Sequence, residues 1–311
     1  MSANLAPTLL QRYQGSLLGL ACGDAVGTSV EFSPRGSFTP LTDMRGGGPF
    51  GLQAGQWTDD TSMALCLAES LITKQGFDAH DQMTRYVNWW RWGYLSATGE
   101  CFDIGMTVCS ALQKFLVTGD ALAGATDPKS AGNGSLMRLV PIVLYYYPDL
   151  EKIQHFSALS SRTTHGAPEA IQACMLFASL LASALAGESK TALIRSPVEL
   201  SETKLQAIAD GNYLAKSVDQ IRGNGYAVDS LEAALWCFQH TESFAQAVLT
   251  AANLGEDADT TAAIVGQIAG AHYGVQAIPA TWLTQLHMRQ EIQTMASSLF
   301  QAASHTTSIT E

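Results

Sequence analysis

The chain has 311 residues, 47% apolar and 14% charged, and a formal net charge of −11 from 17 Lys and Arg against 28 Asp and Glu. That composition excludes a disordered chain and supports one sizeable core, while the acidic balance argues against a nucleic-acid partner, which needs a basic face. An anionic small molecule would have to find local attraction inside an unfavourable overall field.

Helical periodicity dominates from the start. Leu9, Leu10, Tyr13, Leu17, Leu18 and Leu20 predict an amphipathic helix, and the opening stretch MSANLAPTLLQRYQG lacks a basic-then-apolar signal pattern. No apolar run reaches the length of a membrane span before a polar residue interrupts it, so a soluble, cytoplasmic protein without a membrane partner is expected. Cys22, Cys66, Cys101, Cys109, Cys174 and Cys237 form no C-x-x-C pair and are expected to be free, mostly buried thiols. Gly23-Asp24 reads as a helix C-cap, with Gly27 and Glu31 following.

Gly46, Gly48 and Gly51 spell G-x-G-x-x-G, but Pro49 interrupts it and no strand–turn–helix surrounds it, which excludes a dinucleotide fold. Next comes GQWTDDTSMAL, where Asp59 and Asp60 stand between Thr58 and Thr61. Met63, Leu65, Leu67 and Leu71 predict a helix beginning at about Asp60. Acids at such a position can simply cap the helix and complement its dipole. Trp89, Trp90 and Trp92 read as core aromatics, and helices are predicted over 106–116, 171–185 and 231–238. IVLYYY at 142–147 fits a strand or a buried helix equally. Gly132, Asn133, Gly134 and Ser135 precede an apolar segment and offer bare N–H groups to a phosphate, or form an ordinary loop. His165, in SRTTHGAPEA, reads as a structural histidine or a group near phosphate.

At NLGEDADTTAAIVGQIAGAHYG the acidic helix start recurs, with Asp257 and Asp259 before Thr260. Capping uses one acceptor per helix. Asp59, Asp60, Asp257 and Asp259, with the hydroxyls of Thr58 and Thr260, make a surplus of hard oxygen ligands suited to Mg²⁺ or Mn²⁺. An EF-hand does not fit, because Asp257 as its first position puts Ala262 at the turn glycine and Ile268 at the bidentate glutamate. Gly266 and Gly270 predict close approach to a neighbouring helix, for which the helix carrying Asp59 is the candidate. The polar tail ASHTTSITE is expected to fray, leaving a core at about 10–300 within a single domain spanning 1–311. The expectation is an all-α, compact, single-domain protein.

Six segments in order, GDAVG with Glu31, WTDDT, TGECFDIG, GNGSLMR, THG and GEDADTTAAIVGQIAGAHYG, resemble the ADP-ribosylglycohydrolase family over about 15–285. The resemblance implies an orthogonal helical bundle with a central cleft holding two divalent cations, Mg²⁺ or Mn²⁺. It implies hydrolysis of the glycosidic bond between ADP-ribose and a modified protein side chain or small molecule. Thr58, Asp59 and Asp60 would be one ligand triplet, and Asp257, Asp259 and Thr260 the other. Glu31, Asp59, Asp60 and Asp103 would be the candidate catalytic carboxylates. Cys101 to Gly105 resembles the loop of the arginine-directed branch, with Asp103 orienting the leaving guanidinium or the water. Gly132, Asn133, Gly134 and Ser135 would lie along the diphosphate, His165 near it, and Tyr226 against adenine. Where family members more often carry GGD or GDD, this chain has Gly255-Glu256-Asp257, and the extra charge bears on metal preference. Serine-linked ADP-ribose, O-acetyl-ADP-ribose, a two-metal phosphoesterase and a non-catalytic ADP-ribose-binding module are the alternatives. The oligomeric state is not legible.

Overall fold

The computed structural model describes residues 6–307, and among these it contains helices, turns and isolated bridges but no strand. In chain order the α-helices are α1 (Leu9–Gly27), α2 (Asp59–Lys74), α3 (Ala79–Trp92), α4 (Met106–Thr118), α5 (Val140–Tyr146), α6 (Leu150–Arg162) and α7 (Pro168–Leu185). They continue with α8 (Thr203–Ala209), α9 (Ala227–Gln239), α10 (Phe244–Ala252), α11 (Ala258–Tyr273), α12 (Ala280–Gln285) and α13 (Arg289–Thr307). The all-α expectation holds, and the ambiguous segment at 142–147 falls in α5. The end of the polar tail, 308–311, lies outside the described residues, whereas its first part continues α13.

α1 and α11 form the axis of the molecule. α1 opens with a capping box, in which Gln11 N–H donates to Thr8 Oγ1 at 3.3 Å and Thr8 N–H donates to Gln11 Oε1 at 2.8 Å. Beyond its first turns it is buried on every side, as a helix without a polar face must be. Gly15, Gly19, Gly23 and Gly27 recur every fourth residue on one face. A Cβ at these positions would stand 2.1–2.4 Å from the carbonyl oxygens of Gly270, Gly266, Ala262 and Ala258 respectively. The descending order means that α1 and α11 run antiparallel with their backbones in contact. The neighbour of Gly266 and Gly270 is therefore α1, not the Asp59 helix, because Gly19 and Gly15 of α1 meet them with no side chain between the backbones. Antiparallel packing brings the end of α1, with Asp24, beside the start of α11, with Asp257 and Asp259.

α7 is long and apolar enough by composition to cross a membrane, but 61% of it is buried within the molecule, where it packs against α6, α9 and α11. A second apolar cluster joins α2, α3 and α4 through Met63, Met83, Tyr86, Trp89, Leu112 and Phe115. It anchors α4 and, through it, the preceding loop with Asp103. Trp89 belongs to this core, but Trp92 is 76% exposed, because at the last turn of α3 it faces away from the cluster. Cys22, Cys66, Cys174 and Cys237 are buried, Cys101 and Cys109 are half-buried, and all six are free.

Candidate active site

The capping explanation of the paired aspartates fails at both helices. α2 starts after Thr58 and α11 after Asp257, and neither of those side chains caps its helix. The donors at the start of α2 go instead to Asp24, which is fully buried inside the last turns of α1 rather than acting as that helix's C-cap. Asp24 Oδ1 accepts from Thr58 N–H at 2.9 Å and Thr58 Oγ1 at 3.0 Å, and Oδ2 accepts from Thr61 N–H at 3.0 Å and Thr61 Oγ1 at 2.6 Å. One carboxylate thus fixes the backbone on both sides of Asp59 and Asp60, freeing these two from capping. Burial pushes Asp24 up to about 6 even against those four hydrogen bonds. The sequence reading missed Asp24. Its signal was present in GDAVG, but adjacency to a glycine at a helix end masked it.

The starts of α2 and α11 face each other. Thr260 Oγ1 donates to Asp60 Oδ1 at 3.3 Å, and Thr58 Oγ1 lies 3.2 Å from Asp259 Oδ2. Thr58 has one hydroxyl proton for both Asp24 and Asp259, so one of them is always short of a donor. Asp60 Oδ2 and Asp259 Oδ1 are buried with no hydrogen-bond partner at all. An orphaned buried carboxylate oxygen costs several kcal/mol unless a proton or cation meets it. Two of them, on two converging helix starts, fit a hard cation.

Glu31 and Asp103 close over this floor. The main chain after Glu31 is pinned to the start of α11, with Phe32 N–H donating to Glu256 O at 2.7 Å and Glu256 N–H to Ser33 O at 2.8 Å. Phe32, Asp103 and Glu256 all adopt positive φ, at 60°, 58° and 59°. Such values are uncommon without glycine and cluster at functional loops. Glu31, Asp103 and Asp259 each offer one carboxylate oxygen within 4.8 Å of one another, an acidic group that could hold a metal ion. Without a cation the cluster suppresses its own ionisation. Burial, then Asp103 and Asp257, push Glu31 up to about 9, and burial, then Asp257 and Asp24, push Asp103 up to about 7. Asp59, Asp60 and Asp259 are held well above the usual carboxylate range by burial first and their acidic neighbours second.

Above the floor opens a cleft of about 710 Å³, lined among others by Glu31, Asp59, Asp103, Asp257 and Thr260 at one end and Gly132, Asn133, Gly134 and His165 at the other. Asn133 Nδ2 bridges the two ends, donating to Asp257 Oδ2 at 2.8 Å and to Ser230 Oγ at 3.2 Å. The glycine loop is seated by Asn133 N–H on Gly225 O at 3.1 Å and Ala227 N–H on Ala131 O at 3.0 Å. His165 is buried behind Gly132 and Gly134, where a Cβ on Gly134 would come within 2.8 Å of its Cε1. Phe32, 64% exposed, Phe50 and Phe102 form an aromatic row at the mouth, with centroids 6.3 and 5.2 Å apart.

Two expected ligand contacts are placed otherwise. Ser135 is buried behind the loop, its hydroxyl 2.9 Å from Ser161 Oγ and 3.3 Å from Cys174 Sγ. Tyr226 follows Gly225 beside the loop, but its ring and hydroxyl are taken up by Lys204, at 4.9 Å from the centroid and 3.0 Å from the oxygen, and it does not line the cleft.

Residues 5–308 match the family described as ADP-ribosylglycohydrolase. The chain belongs to the ADP-ribosylglycohydrolase family. Among similar glycohydrolases, it is 45% identical to ADP-ribosylarginine hydrolase Tri1 of Pseudomonas putida (strain GB-1) over 94% of this chain and 79% of that one. It is 30% identical to the ADP-ribosyl-[dinitrogen reductase] glycohydrolase of Rhodospirillum rubrum over 92% and 93% of the two chains. A solved structure described as an ADP-ribosylglycohydrolase-related protein complex superposes with a TM-score of 0.84 at 42% identity, covering 95% of this chain and 99% of that one.

Proposed function

We propose that this glycohydrolase cleaves the N-glycosidic bond between ADP-ribose and an arginine side chain, using two divalent cations, Mg²⁺ or Mn²⁺. The observation that carries the reading is the convergence of the α2 and α11 starts, with Asp60 Oδ2 and Asp259 Oδ1 buried and unpartnered beneath a cleft that ends in a glycine loop. The arginine linkage is supported by the relative at 45% identity named as an ADP-ribosylarginine hydrolase. Because the contributing residues run from Asp24 to Thr260, we read the chain as one domain.

Thr58, Asp59, Asp60, Asp257, Asp259 and Thr260 would hold the cations, with Glu31 and Asp103 above them. When bound, the cations would supply a template for the ribose diol and Lewis-acid polarisation. Asp60 and Asp259 lie below the cleft surface, so of the candidate catalytic carboxylates it is Glu31, Asp59 or Asp103, which line the cleft, that would take the proton from the attacking water. The same anionic side chains stabilise the oxocarbenium character that develops as the bond to nitrogen stretches. Asp103, on the loop before α4 and lining the cleft, would receive the leaving guanidinium. At the far end, the N–H groups of Gly134 and Ser135 donate to no protein acceptor among the described residues and would be available to the diphosphate.

Product analysis across arginine-, serine- and acetyl-linked ADP-ribose in Mg²⁺ or Mn²⁺ tests the proposal. Release of ADP-ribose from the arginine adduct is expected, and Asp59→Ala or Asp257→Ala should slow it at least about 10²-fold. No release in either metal would reject the activity, release only from the other adducts would reject the linkage, and AMP as product would indicate a phosphoesterase.

A further inference from the structure

Behind the glycine loop lies a positive charge that no acid neutralises. Arg138 is completely buried, and no ion pair among the described residues includes it. Its Nη1 donates to Gly134 O at 2.7 Å and its Nη2 to Thr164 Oγ1 at 2.7 Å, with longer contacts from Nη2 to Ser160 O at 3.4 Å and Thr163 Oγ1 at 3.5 Å, while its guanidinium carbon stands 4.9 Å from the centre of the Tyr86 ring. Burying a guanidinium without a carboxylate is expensive, and carbonyls and hydroxyls alone do not require a cation there.

The hydrogen-bond inventory shows what this arrangement determines. A guanidinium only donates, so Thr164 Oγ1 is the acceptor in its bond with Arg138. The same oxygen lies 2.8 Å from His165 Nδ1, and the Thr164 hydroxyl proton has no other acceptor among the described residues. Pointing that proton at Nδ1 is the arrangement that leaves no buried hydroxyl donor unmet, and Nδ1 then carries the lone pair. The ring proton is left on Nε2, the nitrogen without a protein partner, which faces the two glycines from a residue that lines the cleft. Burial, assisted by the Arg138 charge, pushes the His165 pKa down to about 3, so the ring stays uncharged.

We propose that Arg138, acting through Thr164, is a positioning residue that locks His165 as the Nε2–H tautomer, so that the ring presents a neutral hydrogen-bond donor to a diphosphate lying on the glycine loop. The inference rests on the proposed function for its ligand, but not for its tautomer. It also answers the charge problem of an acidic chain binding an anion: one buried cation and an oriented ring act locally, next to a loop of free N–H groups.

Nitrogen NMR of the full chain distinguishes the two imidazole tautomers directly. The native protein and Thr164→Ser should show His165 protonated at Nε2, whereas Thr164→Val should lose that preference. With a divalent cation present, calorimetry should show ADP-ribose binding about 10-fold more weakly to Thr164→Val and near the native affinity to Thr164→Ser. In turnover the Val variant should raise KM with kcat within about twofold. Arg138→Lys, which keeps the charge but loses the fork, should reproduce the tautomer loss. A native ring protonated at Nδ1, or a Thr164→Val variant with native tautomer or native affinity, would overturn the inference. If no adduct is hydrolysed while the tautomer and affinity results hold, the proposed reaction fails and this assignment stands.

Discussion

Thr260 donates its hydroxyl to the Asp60 carboxylate at 3.3 Å across 200 positions of sequence. With the Thr58 and Asp259 pair beside it, this contact ties the first turns of α2 and α11 into one acidic floor. Neither helix gains stability from that arrangement by itself. The aspartates repel one another, and two of their oxygens find no donor. A floor built this way is stable only with protons or cations on it.

Asp60→Asn and Asp259→Asn should therefore stabilise the cation-free protein while weakening its response to cations. The expected gain is roughly 2–4 °C in Tm, the shift that about 1 kcal/mol produces in a large domain. Added Mg²⁺ or Mn²⁺ should raise Tm in the native chain and much less in either variant. Thermal melts with and without chelator check both signs, and an undiminished cation response in both variants would remove these residues from the ligand set.

Asp24→Ala should act in the opposite sense. It strips two N–H groups and the Thr61 hydroxyl of their acceptor and leaves the Thr58 hydroxyl only Asp259, in a site closed to water, at a cost of about 3 kcal/mol or more. Activity should fall with stability, since Asp59 and Asp60 lose the frame that holds them. Chemical denaturation and turnover on the same preparations would show whether the two losses travel together.

The pH dependence of the cation-free protein follows from the raised carboxylates. A carboxyl whose folded pKa exceeds its unfolded value of about 4 contributes stability below that value and loses it as pH rises through the folded pKa. For Asp103 that pKa is about 7, and for Glu31 about 9. The depressed histidines, His165 at about 3 and His272 at about 4, work in the other direction, but only below their unfolded value of about 6.5. Above about pH 6.5, where the histidines no longer offset it, stability in chelator should fall, through Asp103 until about pH 7 and through Glu31 until about pH 9, by up to about 1.4 kcal/mol per pH unit for each group still differing between the two states. Saturating cation should flatten the slope. Denaturant titrations at several pH values measure it, and a flat profile in chelator would contradict the crowding described here.

Much of this was legible in the sequence because periodicity and surplus are local signals. The helices at 9–20, 63–72, 106–116, 171–185 and 231–238 announced themselves by apolar spacing, and the second acidic start by its likeness to the first. What was not legible depends on long-range partners. Asp24 looked like a helix end until α2 was seen resting on it. Tyr226 looked available for stacking, but Lys204 occupies it. Arg138 sat inside an apolar run with nothing to show that it reaches Thr164 behind the loop.

The α1–α11 seam supplies a stability test. Gly19→Ala or Gly266→Ala places a methyl about 2 Å from a backbone oxygen of the facing helix, which cannot retreat without separating the two helices. The helix-propensity gain of about 1 kcal/mol does not offset overpacking, so a net loss of about 3 kcal/mol is expected. Gly105→Ala meets nothing within 4 Å and should fall within about 0.5 kcal/mol of the native protein. Equal stability of all three would mean that the seam is not close-packed.

Glu256 offers the reverse case. It holds φ at 59°, a conformation that costs a side chain roughly 1–2 kcal/mol and glycine almost nothing. Its contacts to Phe32 and Ser33 are made by the main chain alone. Glu256→Gly keeps those bonds and relieves the strain, offset by the greater entropy that glycine loses on folding, about 0.5–1 kcal/mol. The variant should be more stable by roughly 0.5 kcal/mol, with turnover within about twofold because Asp257 next to it is untouched. If turnover drops further, or its ratio between Mg²⁺ and Mn²⁺ shifts, the glutamate's charge reaches the cations, and its place at a strained position is a cost retained for metal preference.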